Sequence, residues 1–193
     1  MKTTLYFIYL LLLVLLFGCN DTKIKREIQQ LQSKAISFPY NMNFTIHGRD
    51  TLISEYVENG LKLVIYTDSV ECSSCVISKM YLWNSIIENT ELYKDKLKFY
   101  YILSPQRQHI EKVRSALNVI DFEYPVIIDT LGKFAKLNPH LPENKALHTF
   151  LLDENNNVIL VGNPLRNKKI EEMFYQIVEE KLGTSQQSPA KED

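Results

Sequence analysis

The sequence predicts an α/β domain with a mixed central sheet and helices on both faces. Three observations carry this. From Leu61 to Asp129 strand-like and helix-like segments alternate, the pattern of strands laid side by side with helices packed across them. One strand, "LKLVIYT" (Leu61 to Thr67), is apolar almost throughout, as a strand covered on both faces should be. After the alternating part come two strands around the turn Glu154-Asn155-Asn156-Asn157, a hairpin signal that adds antiparallel pairing to the sheet.

The elements follow in order. "NDTKIKREIQQLQSKAISFP" carries Ile24, Ile28, Leu31 and Ala35 on one stripe of a polar helix, closed by Pro39. "MNFTIHGRDT" reads as a strand with a turn at Gly48. After the Leu61–Thr67 strand, "CVISKMYLWNSIIENTELY" predicts one helix with Val76, Met80, Trp83 and Ile87 inward. "KLKFYYILS" is a strand stopped at Pro105. "QRQHIEKVRSALNVI" is a helix with Ile110, Val113 and Leu117 inward. "EYPVIID" is a strand and "TLGKFAKLN" a short helical turn. "ALHTFLLD" and "NVILVG" form the hairpin. "NKKIEEMFYQIVEEKLG" is the last helix, with Ile170, Phe174, Ile177 and Val178 inside and Gly183 at C′. No internal repeat appears.

The 193 residues, with 45% hydrophobic and 23% charged side chains, suit one globular domain. A net charge of −1 gives no basic footprint, so no nucleic-acid partner is expected. The first residues differ from the rest. Lys2, the apolar run Leu5 to Phe17, and Gly18 before Cys19 have the build of a secretory signal. The run is too short for a spanning helix of ~20 residues. "LFGC" (Leu16 to Cys19) resembles a bacterial lipobox, which implies a lipid on Cys19 and a membrane anchor without a span. The expected organisation is 1–18 lipoprotein signal peptide, 19–39 tether with a short amphipathic helix, 40–183 the α/β domain, and 184–193 a disordered polar tail.

That leaves Cys72 and Cys75 as the remaining thiols of an exported chain, where disulfide chemistry is possible. They lie where a strand gives way to a helix. Residues three apart on a helix are neighbours, so the pair is within reach of a disulfide. Cys72 at the helix N-terminus meets free N–H groups that favour a thiolate, and is the candidate nucleophile. Cys75, one turn on, is expected to be less accessible and to act as the resolving thiol. Ser73 and Ser74 keep their amides and can donate to the thiolate. Glu71 and Asp68 oppose it.

"LVIYTDSVECSSC" with "TFLLDENNNVILVGNP" resembles the thioredoxin superfamily. More narrowly it is similar to the TlpA-like and AhpC/TSA-like thiol–disulfide oxidoreductase lipoproteins typical of Bacteroides-type bacteria. The resemblance runs over roughly Met42 to Leu182. "EYPVIIDTLGKFAKLN" matches the strand–helix insertion that those proteins carry before the C-terminal hairpin. It implies a thioredoxin-like fold, with Cys72 attacking a substrate disulfide and Cys75 releasing it. It implies no dissociable cofactor beyond the Cys72–Cys75 disulfide. The partners would be protein disulfides or a redox partner in the envelope of a Gram-negative bacterium, with the anchor in the inner or outer membrane and the domain facing the periplasm.

Three positions depart from that family. Glu71 stands where an apolar residue usually precedes the first cysteine, and Ser74 where proline often precedes the second. Leu147 or His148 occupies the place of a cis-proline that shapes the substrate groove. A cis bond before a non-proline residue costs ~3 kcal/mol, so a trans bond is expected. His148 would lie near the thiols as a proton carrier or as a third ligand for a soft metal; no resident metal is expected. The alternatives to an oxidoreductase are a non-catalytic thioredoxin-fold binding lipoprotein and a copper- or zinc-handling protein using Cys72, Cys75 and His148. A peroxidase site is excluded. Ser69 has the right offset from Cys72, but Ile65 replaces the needed proline.

Overall fold

The structure is a computed structural model that describes residues 22–40, 42–51 and 60–183. Cys19, the signal segment 1–18 and the tail 184–193 lie outside the described residues.

Among the described residues seven strands form one sheet in the order β2-β1-β5-β4-β3-β6-β7. β3 (Leu61–Thr67) sits inside it, parallel to β4 (Leu97–Leu103) and antiparallel to β6 (Thr149–Leu152). All seven β3 residues are buried, as its unbroken apolar character predicts. β5 (Val126–Ile128) extends the parallel side, and β7 (Val158–Val161) closes the hairpin with β6. Asp153 shapes the turn between them by accepting from the amides of Asn155 and Asn157 at 2.9 and 2.8 Å.

Alternation along β3 and β4 sorts two cores. Leu63, Ile65, Phe99 and Tyr101 face one side, with Trp83 and Ile86 and with α4 (Ile110–Leu117) and α6 (Lys168–Leu182). Val64, Tyr66, Tyr100 and Ile102 face the other, against α5 (Lys133–Leu137) and the N-terminal segment. Lys62 shares that second direction. It is 2% exposed, its Nζ reaching the Gly60 carbonyl at 3.4 Å. Burial lowers its pKa, against the raising effect of the Asp153 and Glu154 carboxylates.

Four expectations change. First, residues 22–39, expected within a tether with a short amphipathic helix, pack on the sheet. The helix α1 (22–31) and the strand-like stretch after it dock on the sheet, with Leu31 and Ile36 at 0% and 1% exposure. Ser37 and Asn138 exchange two 2.8 Å hydrogen bonds there. Second, "MNFTIHGRDT" is a full hairpin of β1 (Phe44–Ile46) and β2 (Arg49–Thr51). Its two-residue turn, His47 (φ 49°) and Gly48 (φ 72°), has the positive φ pair that such hairpins need. Gly48 has a second constraint, because a Cβ would run into the Arg114 carbonyl. Third, the single helix expected after the cysteines is broken into α2 (Ser73–Ile77), a 3-10 turn at Met80–Trp83, and α3 (Asn84–Asn89). Ser78 and Ser85 turn their hydroxyls onto the carbonyls of Cys75 and Leu82 at these breaks, local bonds that compete with a continuous helix. Fourth, Gly183 ends α6 at φ −71°, a right-handed value, rather than as a left-handed cap.

Candidate active site

The turn that carries the cysteines is built by Asp68. One of its carboxylate oxygens accepts from the amides of Val70 and Glu71 at 2.9 and 3.0 Å and from Lys145 Nζ at 3.0 Å. Burial disfavours its charge, but Lys145 and the two amides together outweigh that and lower its pKa. The turn delivers Cys72 to the N-cap of α2, where its carbonyl accepts from the amides of Cys75 and Val76 at 2.9 and 3.1 Å. Cys72 and Cys75 are joined in a disulfide with a Cα–Cα distance of 5.3 Å.

Both cysteines are exposed. Cys75 is therefore not the shielded thiol that its place one turn on suggests. Ile77 is the one buried residue of α2. Cys75 lies two positions before it, about 200° around the helix, and so faces away from the core. Five residues make only a short dipole, so any help to a Cys72 thiolate comes from the nearby amides and side-chain charges.

The disulfide borders a cleft of ≈ 320 Å³ at the C-terminal ends of β3 and β4. Its outer wall holds Glu71, Lys79, Lys145 and Arg166 around the two cysteines. Lys79, Lys145 and Arg166 face Glu71 as the single acid, and Asp68 pairs with Lys145 from behind. The carboxylates that seemed set to oppose the thiolate are thus outnumbered in the wall. The inner wall is apolar, formed by Ile65, Met80, Trp83, Tyr101, Leu103 and Leu165.

His148 reaches this cleft as expected, but as a buried group, 5% exposed. Its Nε2 lies 2.8 Å from the Pro142 carbonyl and donates to it. Nδ1 is buried with no hydrogen-bond partner among the described residues. The ring packs on Tyr66 at 5.1 Å, and the two side chains separate the cleft from a second cavity of ≈ 460 Å³ that extends to Asp129. Burial raises the Tyr66 pKa, and the Asp68 and Asp129 charges add to this against a lowering hydrogen bond with Ser104. Leu147 is 8% exposed in the 3-10 turn Lys145–Leu147 and does not line the cleft. Neither do Ser73 and Ser74. No peptide bond among the described residues is cis.

Among the described residues no three His, Cys, Asp or Glu side chains converge to hold an ion.

The decisive topological facts are now together. A parallel pair β3–β4 is joined through α2 and α3, an antiparallel hairpin β6–β7 pairs on the other side of β3, and a final helix packs on the face of α3. The fold is thioredoxin-like. β5 and α5 are its strand–helix insertion before the hairpin, where "EYPVIIDTLGKFAKLN" predicts one. No family model and no curated protein matches the sequence. Solved structures similar to this chain include Mycobacterium tuberculosis AhpC, at 15% identity over 75% of this chain and 98% of that one, TM-score 0.47. A thioredoxin-like protein from Bacteroides caccae aligns at 18% identity over 82% of this chain and 55% of that one, TM-score 0.46. One from Porphyromonas gingivalis aligns at 13% over 76% and 93%, TM-score 0.45. Within this thioredoxin-like frame, an exposed cysteine pair at disulfide distance fits thiol–disulfide exchange. Arg166 and the buried Tyr101 were not legible as site residues, because the elements that bring them to the cysteines lie far from them in sequence.

Proposed function

We propose that this chain is a thiol–disulfide oxidoreductase, anchored by lipid on Cys19 to a membrane of the bacterial cell envelope. The observation that carries the redox reading is the exposed Cys72–Cys75 disulfide at the N-cap of α2, open to a cleft with three cations. In the reducing direction, the Cys72 thiolate attacks one sulfur of a substrate disulfide. That S–S bond breaks, a mixed disulfide forms on Cys72, and the first substrate sulfur leaves as a thiolate that takes a proton from solvent. The Cys75 thiolate then attacks Cys72 and expels the second substrate thiol. The substrate gains two electrons and the dithiol becomes the disulfide described here. A dithiol partner in the envelope returns it to the reduced state, and no dissociable cofactor takes part.

Equilibration of the Cys72–Cys75 pair with glutathione, together with a disulfide-reduction assay, tests this. Wild type should turn over, Cys72→Ser should not, and Cys75→Ser should accumulate the mixed disulfide. Activity of Cys72→Ser equal to wild type would leave a non-catalytic binding protein as the reading. For the anchor, Cys19→Ser should move the protein from the membrane fraction to the soluble one. Retention there would remove the lipid.

A further inference from the structure

Exchange chemistry needs only that a substrate sulfur reach Cys72. It has no use for a cleft that continues inward to buried aromatic residues, yet this one does. Its ≈ 320 Å³ falls in the roughly 300–1,000 Å³ range of small-molecule sites. Met80, Trp83, Tyr101 and Leu103 line it at 1–5% exposure. The Tyr101 hydroxyl is buried and has no hydrogen-bond partner among the described residues. Such a group carries a desolvation cost that an acceptor inside the cleft would relieve. At the outer end Lys79 and Arg166 are exposed and, among the described residues, have no ion-pair partner. The cleft therefore combines an apolar, aromatic floor, one unpaired buried donor, and a cationic rim.

We propose that this cleft binds an aromatic group that carries a carboxylate. The ring lies against Met80 and Trp83, a ring substituent with an acceptor reaches Tyr101, and the carboxylate meets Lys79 and Arg166. Resting on the oxidoreductase reading, the bound group is the part of the substrate beside the disulfide that Cys72 attacks. The binding itself requires no redox step and is measured separately.

Trp83 is the only tryptophan of the chain and lines the cleft, so its emission reports occupancy directly. The full oxidised chain is titrated with 3-phenylpropionate, 3-(4-hydroxyphenyl)propionate, 3-phenylpropan-1-ol and propionate. Both aromatic acids should give a saturable change, and propionate none. The alcohol should bind about threefold more weakly than 3-phenylpropionate, the scale of an exposed charge pair. The phenolic acid should bind about fivefold more tightly than 3-phenylpropionate, the scale of one hydrogen bond, and Tyr101→Phe should abolish that difference. Arg166→Glu should weaken both acids and leave the alcohol unchanged, while Lys133→Glu, outside the cleft, should change nothing. No saturable signal from either acid, equal affinity for acid and alcohol, or equal affinity of the two acids in wild type would each overturn the assignment. The titration reads binding to the oxidised chain with no turnover. Inactivity of the dithiol in exchange would thus sink the oxidoreductase reading without touching this one.

Discussion

Asp68 shows how a charge changes meaning when its neighbours are known. In sequence it is a carboxylate four residues before a cysteine, and it opposes a thiolate. In the fold it holds the turn together through the Val70 and Glu71 amides and ties that turn to Lys145 in the cleft wall. Removing its charge leaves these donors without a strong acceptor. Asp68→Asn should therefore lower the unfolding free energy at pH 7 by about 1–2 kcal/mol, the lower part of the range because the side chain keeps some solvent. The pH dependence has a definite sign. The folded pKa lies below the usual carboxylate value, so the folded state binds this proton more weakly than the unfolded chain. The stabilisation is complete above the unfolded pKa of about 3.9 and is lost as pH falls through the folded value. Urea unfolding of both proteins from pH 7 down to pH 2.5 should show the gap closing in that acid window. A gap of constant size would mean that side-chain shape, not charge, holds the turn.

At the scale of elements, the docking of residues 22–39 is the largest change from the sequence. The stripe Ile24, Ile28 and Leu31 says that something covers one face of α1, while Ala35 falls beyond the helix and is exposed. It does not say that the cover is this chain's own sheet. Leu31 is fully buried and Ile24 is 40% exposed. Leu31→Ala should cost about 2–5 kcal/mol in global unfolding, and Ile24→Ala only a few tenths. Equal, small effects would detach α1 from the cooperative unit. β3 was legible for the opposite reason: a strand buried on both faces writes its environment as an unbroken apolar run. β2 was not, since "RDT" is a polar edge strand specified by its turn and partner rather than by its own pattern. The helix after the cysteines kept its inward positions Met80 and Trp83 but lost its continuity to serine–carbonyl bonds that periodicity does not register. The same division holds for the site. "CSSC" is a local motif and reads directly. The cleft is not local, because its walls come from β3, the 3-10 turn at Met80–Trp83, β4, and loops near 145 and 165.

For the molecule as a whole, a working dithiol demands that one fold serve two redox states. Neither cysteine belongs to the two cores, although Ile77 of the same short helix does. The disulfide closes a loop of sequence separation 3, and chain-entropy reasoning limits its contribution to about 2 kcal/mol. The reduced protein should therefore unfold in one cooperative transition with an unchanged urea m-value, displaced by no more than that amount. Loss of the transition on reduction would make the disulfide structural and the exchange role untenable. The same difference constrains the redox equilibrium, because the folding and oxidation steps form a closed cycle. About 2 kcal/mol corresponds to about thirtyfold. The folded pair should thus favour the disulfide over an unstructured peptide of residues 68–79 by no more than this factor in a glutathione titration. Lys79 and Arg166 line the same cleft as Cys72, and cations beside a thiol favour its thiolate and so the reduced form. Arg166→Glu should accordingly shift the equilibrium toward the disulfide in the folded protein, while in the peptide, which lacks Arg166, the equilibrium stays fixed by the local sequence alone.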